Sequence, residues 1–224
     1  MIETNRTDDV ITLRMVDGEN RINPTFLSSV NGALDHVEAS DGPVVAVLTG
    51  EGKFFSNGLD LEWMGSAPEG APLEVVNGLQ ALYARMLTLP FPLIAAVNGH
   101  AFAGGAMLAL ACDAIVMRED RGFFCVPEVD INIPFTDGMA ALCQCRMASP
   151  VAHAAMLSGR RYTAAEAVDA GFVAAAVPEA DVEATAADLG RPFAGKTPST
   201  VRTIKERMYA SVLTLLAEEI DFGI

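Results

Sequence analysis

Hydrophobic positions along the chain follow two periods, and together these predict a protein of alternating strands and helices. Short apolar runs bounded by Gly, Pro, Asn or Asp are typical of buried strands. They predict a hairpin over residues 2–15 and strands over residues 44–49, 93–97, 114–117, 122–126 and 172–177. Apolar residues three or four apart predict helices. These cover residues 24–38, 73–89, 106–112, 136–147, 149–157, 163–168, 180–191 and 198–216.

Local signals fix some of these elements more closely. Asn23 followed by Pro24 is an N-cap with proline at the first helical position, so the first helix begins there. The glycine-rich residues 50–60 predict an irregular loop that Phe54-Phe55 anchors in the core. In residues 128–133, Val129, Ile131 and Ile133 alternate with polar residues, which predicts that Glu128, Asp130 and Asn132 share one face of an extended segment.

The chain is organised around residues 97–113, VNGHAFAGGAMLALACD. A strand is followed by a glycine turn and then by a helix start, whose first amide N–H groups have no partners. Glycines let a ligand oxygen approach the backbone closely. This stretch could therefore hold a developing negative charge with main-chain donors. The commoner role of such glycines is to end a turn or to let a helix pack closely on a strand.

Composition excludes several classes of protein. The 224 residues are 51% hydrophobic and carry a formal charge of −14, which predicts a soluble globular chain of one domain, or one with a helical appendage. The negative charge and the lack of a Lys/Arg cluster argue against nucleic-acid binding. No apolar segment is long enough to cross a bilayer, and the N-terminal MIETNRTDDV lacks the apolar core of a signal peptide. We therefore expect a cytoplasmic protein without a membrane partner.

The cysteines and histidines do not predict a metal or redox site. Cys112, Cys125, Cys143 and Cys145 have no metal-ligand spacing, and we expect them to be reduced thiols. Of the three scattered histidines, only His100 lies beside the glycine turn. It could contact a ligand, but a packed or capping role is favoured.

Three separated stretches resemble one family. They are FFSNGLDL (residues 54–61), AVNGHAFAGGAMLALACD (residues 96–113) and GFFCVPEVDINIP (residues 122–134). In this order and spacing they resemble the crotonase superfamily of enoyl-CoA hydratases and isomerases, as does the later SGRRYTAAEAVDAGFVAAAVP (residues 158–178).

The resemblance implies an α/β fold, an open spiral of repeated ββα units with a helical C-terminal region. We expect residues 1–148 to form the spiral core with an acyl-CoA site, and residues 149–224 to form helices that close the pocket and mediate assembly as a homotrimer or dimer of trimers. Members bind an acyl-CoA thioester and stabilise its enolate with two backbone N–H groups, here those of Leu59 and Gly104. No metal or other cofactor is expected, since coenzyme A arrives as part of the substrate.

The carboxylates decide which reaction the resemblance implies. Family hydratases use two glutamates, and here one of those positions is Met107 while the other is Glu128. One carboxylate opposite an oxyanion hole suits proton transfer within a substrate, whereas adding water needs a second group. The pattern therefore resembles a Δ3,Δ2-enoyl-CoA isomerase with Glu128 as its acid and base. Asp130 is the rival base, and without the family Glu128 would be interpreted as a solvated edge residue.

Further residues are candidates for substrate contact. Gly58 and Gly105 flank the two donors, and Met107 would line the pocket or the core. Arg21 and Lys53 could meet CoA phosphates or be surface charges. Ser56 and Asn57 could touch CoA or shape the loop. Asp60 could reach substrate, but a helix cap is favoured.

Two alternatives stay open at this point. The first is a hydratase or another acyl-CoA enzyme of the same superfamily. The second is a non-catalytic acyl-CoA-binding protein with a decayed site.

Overall fold

The computed structural model describes residues 1–220, which form two sheets surrounded by helices. The strands are β1 (Ile2–Thr7), β2 (Val10–Met15), β3 (Val45–Gly50), β4 (Phe54–Ser56), β5 (Leu93–Val97), β6 (His100–Phe102), β7 (Ala114–Arg118), β8 (Phe124–Cys125) and β9 (Ala175–Val177). The helices are α1 (Pro24–Glu38), α2 (Leu61–Ser66), α3 (Ala71–Leu87), α4 (Gly104–Leu110), α5 (Asp137–Arg146), α6 (Ser149–Ser158), α7 (Ala164–Asp169), α8 (Val182–Gly190), α9 (Pro198–Met208) and α10 (Ala210–Leu216).

The larger sheet has six strands in the order β1-β2-β3-β5-β7-β9. Strands β1 and β2 form the predicted antiparallel hairpin, and all other neighbours are parallel. The smaller sheet has the order β4-β6-β8 and is parallel throughout. Three times the chain passes from a strand of the larger sheet to one of the smaller sheet and then to a helix. This repeat, which ends in α3, α4 and α5 in turn, confirms the predicted ββα units.

Alternate residues of the central strands face two separate apolar clusters, as the two-residue period of a strand requires. Ala46 and Leu48 of β3 face the main core, which also includes the buried sides of α1, α3 and α4. Val45 and Val47 face a second cluster, which α8 covers with Val182, Ala186 and Ala187. Strand β3 is therefore buried on both sides, which explains its unbroken apolar sequence.

The structure corrects several predicted elements. The glycine-rich residues 50–60 include strand β4, and β6 was not predicted either. Residues 128–132 form turns and not an extended segment. The amides of Asp130 and Ile131 both donate to the carbonyl of Pro127, at 2.9 and 3.3 Å, which turns the chain back on itself. The predicted helix over residues 198–216 is interrupted at Tyr209, where α9 ends and α10 begins.

The C-terminal region is mainly helical but also completes the larger sheet. Strand β9 pairs with β7 at the sheet edge, so residues 149–220 share a sheet and a core with the first 148 residues. The last four residues of the predicted helical region lie outside the described part. None of the helices within residues 1–220 combines the length and the apolar character that a membrane-spanning helix requires.

Candidate active site

The carboxyl ends of the three strands of the smaller sheet converge on one place. Strand β4 ends before residues 57–59, β6 before Ala103-Gly104, and β8 before residues 126–128. In open parallel sheets, ligands bind outside the carboxyl ends of the strands. The three stretches that resemble the family therefore meet at the edge where a ligand is expected.

The Leu59 amide is left free by the way its loop is held. Ile22 donates to the carbonyl of Gly58 at 2.8 Å, and its own carbonyl accepts from the Asp60 amide at 2.9 Å. Both bonds of this parallel bridge use the backbone groups of Ile22. The Leu59 N–H itself donates to no residue in the described part of the chain.

The Gly104 amide is free because Gly104 is the first residue of α4. Ala103, just before it, has φ +49° and ψ −126°, a conformation that L residues rarely adopt. The Ala103 amide donates to the carbonyl of Cys125 in β8 at 2.9 Å, and its carbonyl accepts from Ala106 and Met107. Within residues 1–220 the Gly104 N–H donates to no group.

Two glycines bring the donors close together. Gly58 has φ +80°, and a Cβ there would lie 2.8 Å from the Cβ of Ala103 and 3.2 Å from the nitrogen of Gly104. A Cβ on Gly105 would lie 2.4 Å from the carbonyl oxygen of Ser56. Real Cβ atoms do not come this close to other atoms, so only glycine lets the two loops touch. The loop that carries Leu59 therefore packs directly against the turn that carries Gly104.

Leu59, Gly104 and Glu128 all line one cavity of about 100 Å³. Its remaining wall is mostly apolar and includes Met64, Val76, Leu79, Met107, Phe135 and Met139. Of the described residues that line it, only Glu128 has an ionisable side chain. The cavity thus combines two main-chain donors, one carboxyl group and an apolar surface, which suits a ligand with a carbonyl group and a hydrocarbon chain.

Glu128 is buried without a full set of partners. Its residue is 6% exposed, and its Oε2 atom has no hydrogen-bond partner among residues 1–220. Burial raises the pKa of the Glu128 carboxyl from its ordinary 4.5 to about 7, while a bond to its own backbone acts in the opposite direction. Such a group can both accept and release a proton near neutral pH.

Asp130 does not share this environment, contrary to the prediction from alternation. The turn after Pro127 leaves Asp130 exposed, with its carboxylate beside Gly159, where a Cβ would lie 2.4 Å from Oδ2. Asp130 is absent from the cavity wall, so the structure separates the two candidate bases.

Three other candidates hold the loops around the donors. Ser56 is fully buried; its hydroxyl donates to the carbonyl of Asn20 at 2.7 Å and accepts from the Gly58 amide at 3.3 Å. Asn57 donates its side-chain amide to the Glu19 carboxylate at 2.8 Å. Asp60 caps α2 by accepting from the Trp63 amide at 3.1 Å. Their contacts match the loop-shaping and capping alternatives.

The two cations considered for phosphate binding lie in different places. Arg21 is half-exposed and surrounded by carboxylates: those of Glu19 at 2.8 Å, Glu62 at 3.6 Å and Asp60 at 3.9 Å. Lys53 lies at the opposite end of the smaller sheet, 5.2 Å from the centre of the Phe54 ring.

His100 is also at that opposite end. Its ring packs among those of Phe54, Phe102 and Phe123, with centres 4.9–5.8 Å apart, as the packed alternative expects. In the part of the chain that the structure describes, no three His, Cys, Asp or Glu side chains are placed to hold a metal ion.

Tyr83, which contacts the main chain of Gly104, was not predicted from the sequence. Tyr83 of α3 is fully buried, and its hydroxyl donates to the carbonyl of Gly104 at 2.7 Å. The signal was available in principle, because a tyrosine among the apolar positions of a helix needs a partner for its hydroxyl.

The chain is similar to known proteins both in sequence and in fold. The sequence model of the enoyl-CoA hydratase/isomerase family matches residues 3–223. "Enoyl-CoA delta isomerase 3" of Arabidopsis thaliana is 38% identical over 210 residues, covering 89% of this chain and 88% of its own length. A "putative enoyl-CoA hydratase" of Thermus thermophilus is 34% identical over 205 residues, covering 90% and 80%. A solved structure of an "enoyl-CoA hydratase/isomerase family protein" from Pseudomonas syringae superposes with a TM-score of 0.89 at 26% identity, covering 96% of this chain and 93% of the other.

Proposed function

This chain belongs to the enoyl-CoA hydratase/isomerase family of the crotonase superfamily, and on that premise we propose that it moves the double bond of a 3-enoyl-CoA to the 2 position. The observation that carries the proposal is that Glu128 supplies the one carboxyl group on the described wall of a cavity that Leu59 and Gly104 also line, and the N–H groups of these two residues have no acceptor within residues 1–220. The "delta isomerase" names of several relatives at 34–38% identity support the same reaction.

The proposed reaction begins with the thioester carbonyl oxygen between the N–H groups of Leu59 and Gly104. The Glu128 carboxylate removes a proton from C2, and the electron pair moves toward the carbonyl to form a dienolate. The two N–H groups stabilise the negative charge on oxygen, and each such donor lowers the barrier by about 3 kcal/mol. The oxyanion then re-forms the carbonyl, the C2–C3 double bond forms, and C4 takes the proton from Glu128, which returns to its carboxylate form.

The environment of Glu128 fits both halves of this cycle. A carboxyl group with a pKa near 7 is a stronger base than an exposed glutamate and remains a usable acid. Met107 stands on the cavity wall where hydratases of the family have a second carboxylate, and a thioether cannot deprotonate water. The apolar wall would hold the acyl chain and keep bulk water away. The proposed chemistry uses only main-chain amides and one carboxyl group, with coenzyme A as part of the substrate.

The test is Glu128→Gln, assayed with a 3-enoyl-CoA by the growth of conjugated enoyl-thioester absorbance. We expect turnover to fall at least about a hundredfold, since a general acid–base contributes about that much or more. Binding of acyl-CoA should persist. Asp130→Asn is the matched control and should isomerise at the wild-type rate. Wild-type turnover in Glu128→Gln would contradict the assignment.

A second assay separates isomerisation from hydration. Crotonyl-CoA already has its double bond at the 2 position, so it can be hydrated but cannot undergo the proposed shift. We expect the wild-type protein to leave its absorbance unchanged while it converts a 3-enoyl-CoA. Rapid loss of crotonyl-CoA absorbance would favour a hydratase. Tight acyl-CoA binding without turnover of either thioester would favour a binding protein.

A further inference from the structure

We propose that Tyr83 is a positioning residue that fixes the main chain of Gly104, so that its N–H points at the thioester oxygen. This inference rests on the proposed function, because it concerns the same donor. Tyr83 does not line the cavity and would not touch the substrate. It would act through Gly104, whose amide N–H would contact the substrate.

Tyr83 forms a direct hydrogen bond with Gly104, the residue whose N–H is the proposed donor. The Tyr83 hydroxyl donates to the Gly104 carbonyl at 2.7 Å from within α3, an element separate from both loops that carry the donors. A Cβ built on Gly104 would lie 3.3 Å from the same hydroxyl oxygen. The space around Gly104 on this side is thus already occupied by the tyrosine.

The turn needs such a restraint because its backbone is unfavourable. Ala103 holds φ +49° and ψ −126°, and a conformation of this kind persists only where surrounding contacts impose it. On one side, β8 holds the turn through the bond from the Ala103 amide to the Cys125 carbonyl. On the other side, Tyr83 holds the next residue. The two bonds anchor the peptide groups on either side of the one that joins Ala103 to Gly104, and this central peptide carries the donor N–H.

The tyrosine remains a donor throughout the useful pH range. Burial raises the pKa of the Tyr83 hydroxyl well above its ordinary value of 10, and the nearby charge of Glu128 raises it further. Its hydroxyl therefore keeps its proton while Glu128 gains and loses one. The bond to Gly104 does not change during the proposed cycle.

The experiment compares Tyr83→Phe with Tyr209→Phe. Tyr209 is also buried, and its hydroxyl accepts a bond from Arg146 at 2.9 Å, away from the cavity. We expect kcat for isomerisation to fall about tenfold in Tyr83→Phe, the rate equivalent of one ordinary hydrogen bond. KM should change little, and the pH profile set by Glu128 should keep its midpoint. Tyr209→Phe should keep the wild-type kcat.

A spectroscopic measurement separates positioning from general destabilisation. Butyryl-CoA with a ¹³C-labelled carbonyl binds without reacting, and its infrared carbonyl stretch reports how strongly the two N–H groups polarise it. In Tyr83→Phe the stretch should move back toward its value in solution, whereas in Tyr209→Phe it should not. A folded Tyr83→Phe protein with wild-type kcat and an unchanged stretch would overturn the proposal.

Two further outcomes are decisive. If Tyr83→Phe does not fold, 3-fluorotyrosine can be placed at position 83, where its more acidic hydroxyl donates a stronger hydrogen bond to the Gly104 carbonyl. The carbonyl stretch of butyryl-CoA should then move further from its solution value. An unchanged stretch would contradict the proposal. If the wild-type protein polarises butyryl-CoA but does not isomerise any 3-enoyl-CoA, the proposed function fails. The role of Tyr83 is still decided in that case, because the carbonyl stretch is measured without turnover.

Discussion

Replacing Glu128 by glutamine should change the way the stability of the protein depends on pH. The pKa of the Glu128 carboxyl is about 7 in the folded protein, against an ordinary value of 4.5. Each tenfold change in proton affinity corresponds to about 1.4 kcal/mol. The folded state therefore binds the Glu128 proton more tightly than the unfolded chain by about 3 kcal/mol.

The sign follows from the direction of the pKa change. A carboxyl group whose pKa is raised by folding stabilises the folded state below pH 4.5, where it is protonated in both states. That stability is lost as the pH rises through about 7. About 2 kcal/mol of the loss should fall between pH 5.5 and pH 8. Glutamine does not titrate, so Glu128→Gln should lack this loss.

Urea unfolding followed by circular dichroism measures the effect at several pH values. The difference in unfolding free energy, Glu128→Gln minus wild type, should grow by about 2 kcal/mol from pH 5.5 to pH 8. The test uses only the change of this difference with pH, because the buried glutamine amide also alters the unfolding free energy by an amount that does not depend on pH. The same measurement on Asp130→Asn, at an exposed carboxylate outside the cavity wall, provides the control. A flat difference for Glu128→Gln would refute the account of a desolvated carboxyl group.

Three further predictions follow from the same structure. First, kcat/KM for isomerisation should rise with pH through a midpoint of about 7, because Glu128 must be a carboxylate to take the C2 proton; an unchanging kcat/KM from about pH 5.5 to about pH 8 would contradict this. Second, Gly105→Ala should abolish measurable isomerisation, because its Cβ would lie 2.4 Å from the Ser56 carbonyl oxygen. Gly32→Ala in α1 meets nothing within 4 Å and should keep full activity with a raised Tm, so equal activity of the two variants would count against the packed donor loops. Third, analytical ultracentrifugation should give three or six times the mass of a single chain, since Leu157, Ile204 and Met208 expose apolar side chains on the C-terminal helices; a monomer at micromolar concentration would contradict the expected assembly.

The sequence predicted the parts of the fold that depend on local interactions. Asn23 caps α1 by accepting from the Phe26 amide at 3.0 Å. The helix predicted over residues 163–168 is present as α7, Ala164–Asp169, where the structure adds a capping box of Thr163 and Glu166. Strand β5 has the predicted bounds, residues 93–97. In each case the residues that define the element are close together in the chain, so their pattern carries the necessary information.

The missed elements depend on pairing between distant residues. Strands β4 and β6 have three residues each and exist because Phe54 lies opposite His100. The turn after Pro127 could not be predicted from the alternation of apolar and polar residues, because the same alternation is typical of a strand. This turn is the reason why Glu128 is buried while Asp130 is exposed.

The candidate site was predicted in part. Leu59, Gly104 and Glu128 were named from the family resemblance, and the structure brings all three to one cavity. The sequence could not supply the cavity wall from α3 and α5, nor the contact of Tyr83 with the Gly104 carbonyl, because these residues are distant in the chain.

The most direct test of the central claim follows the proton that Glu128 would carry. A 3-enoyl-CoA with deuterium at both C2 positions is converted in ordinary water, and the 2-enoyl product is analysed by mass spectrometry. Because Glu128 is 6% exposed, the deuteron it removes should be returned to C4 before it exchanges. The account predicts a product in which most molecules carry two deuterium atoms. A product that carries only one, with hydrogen from water at C4, would contradict a single shielded carboxyl group acting as both base and acid.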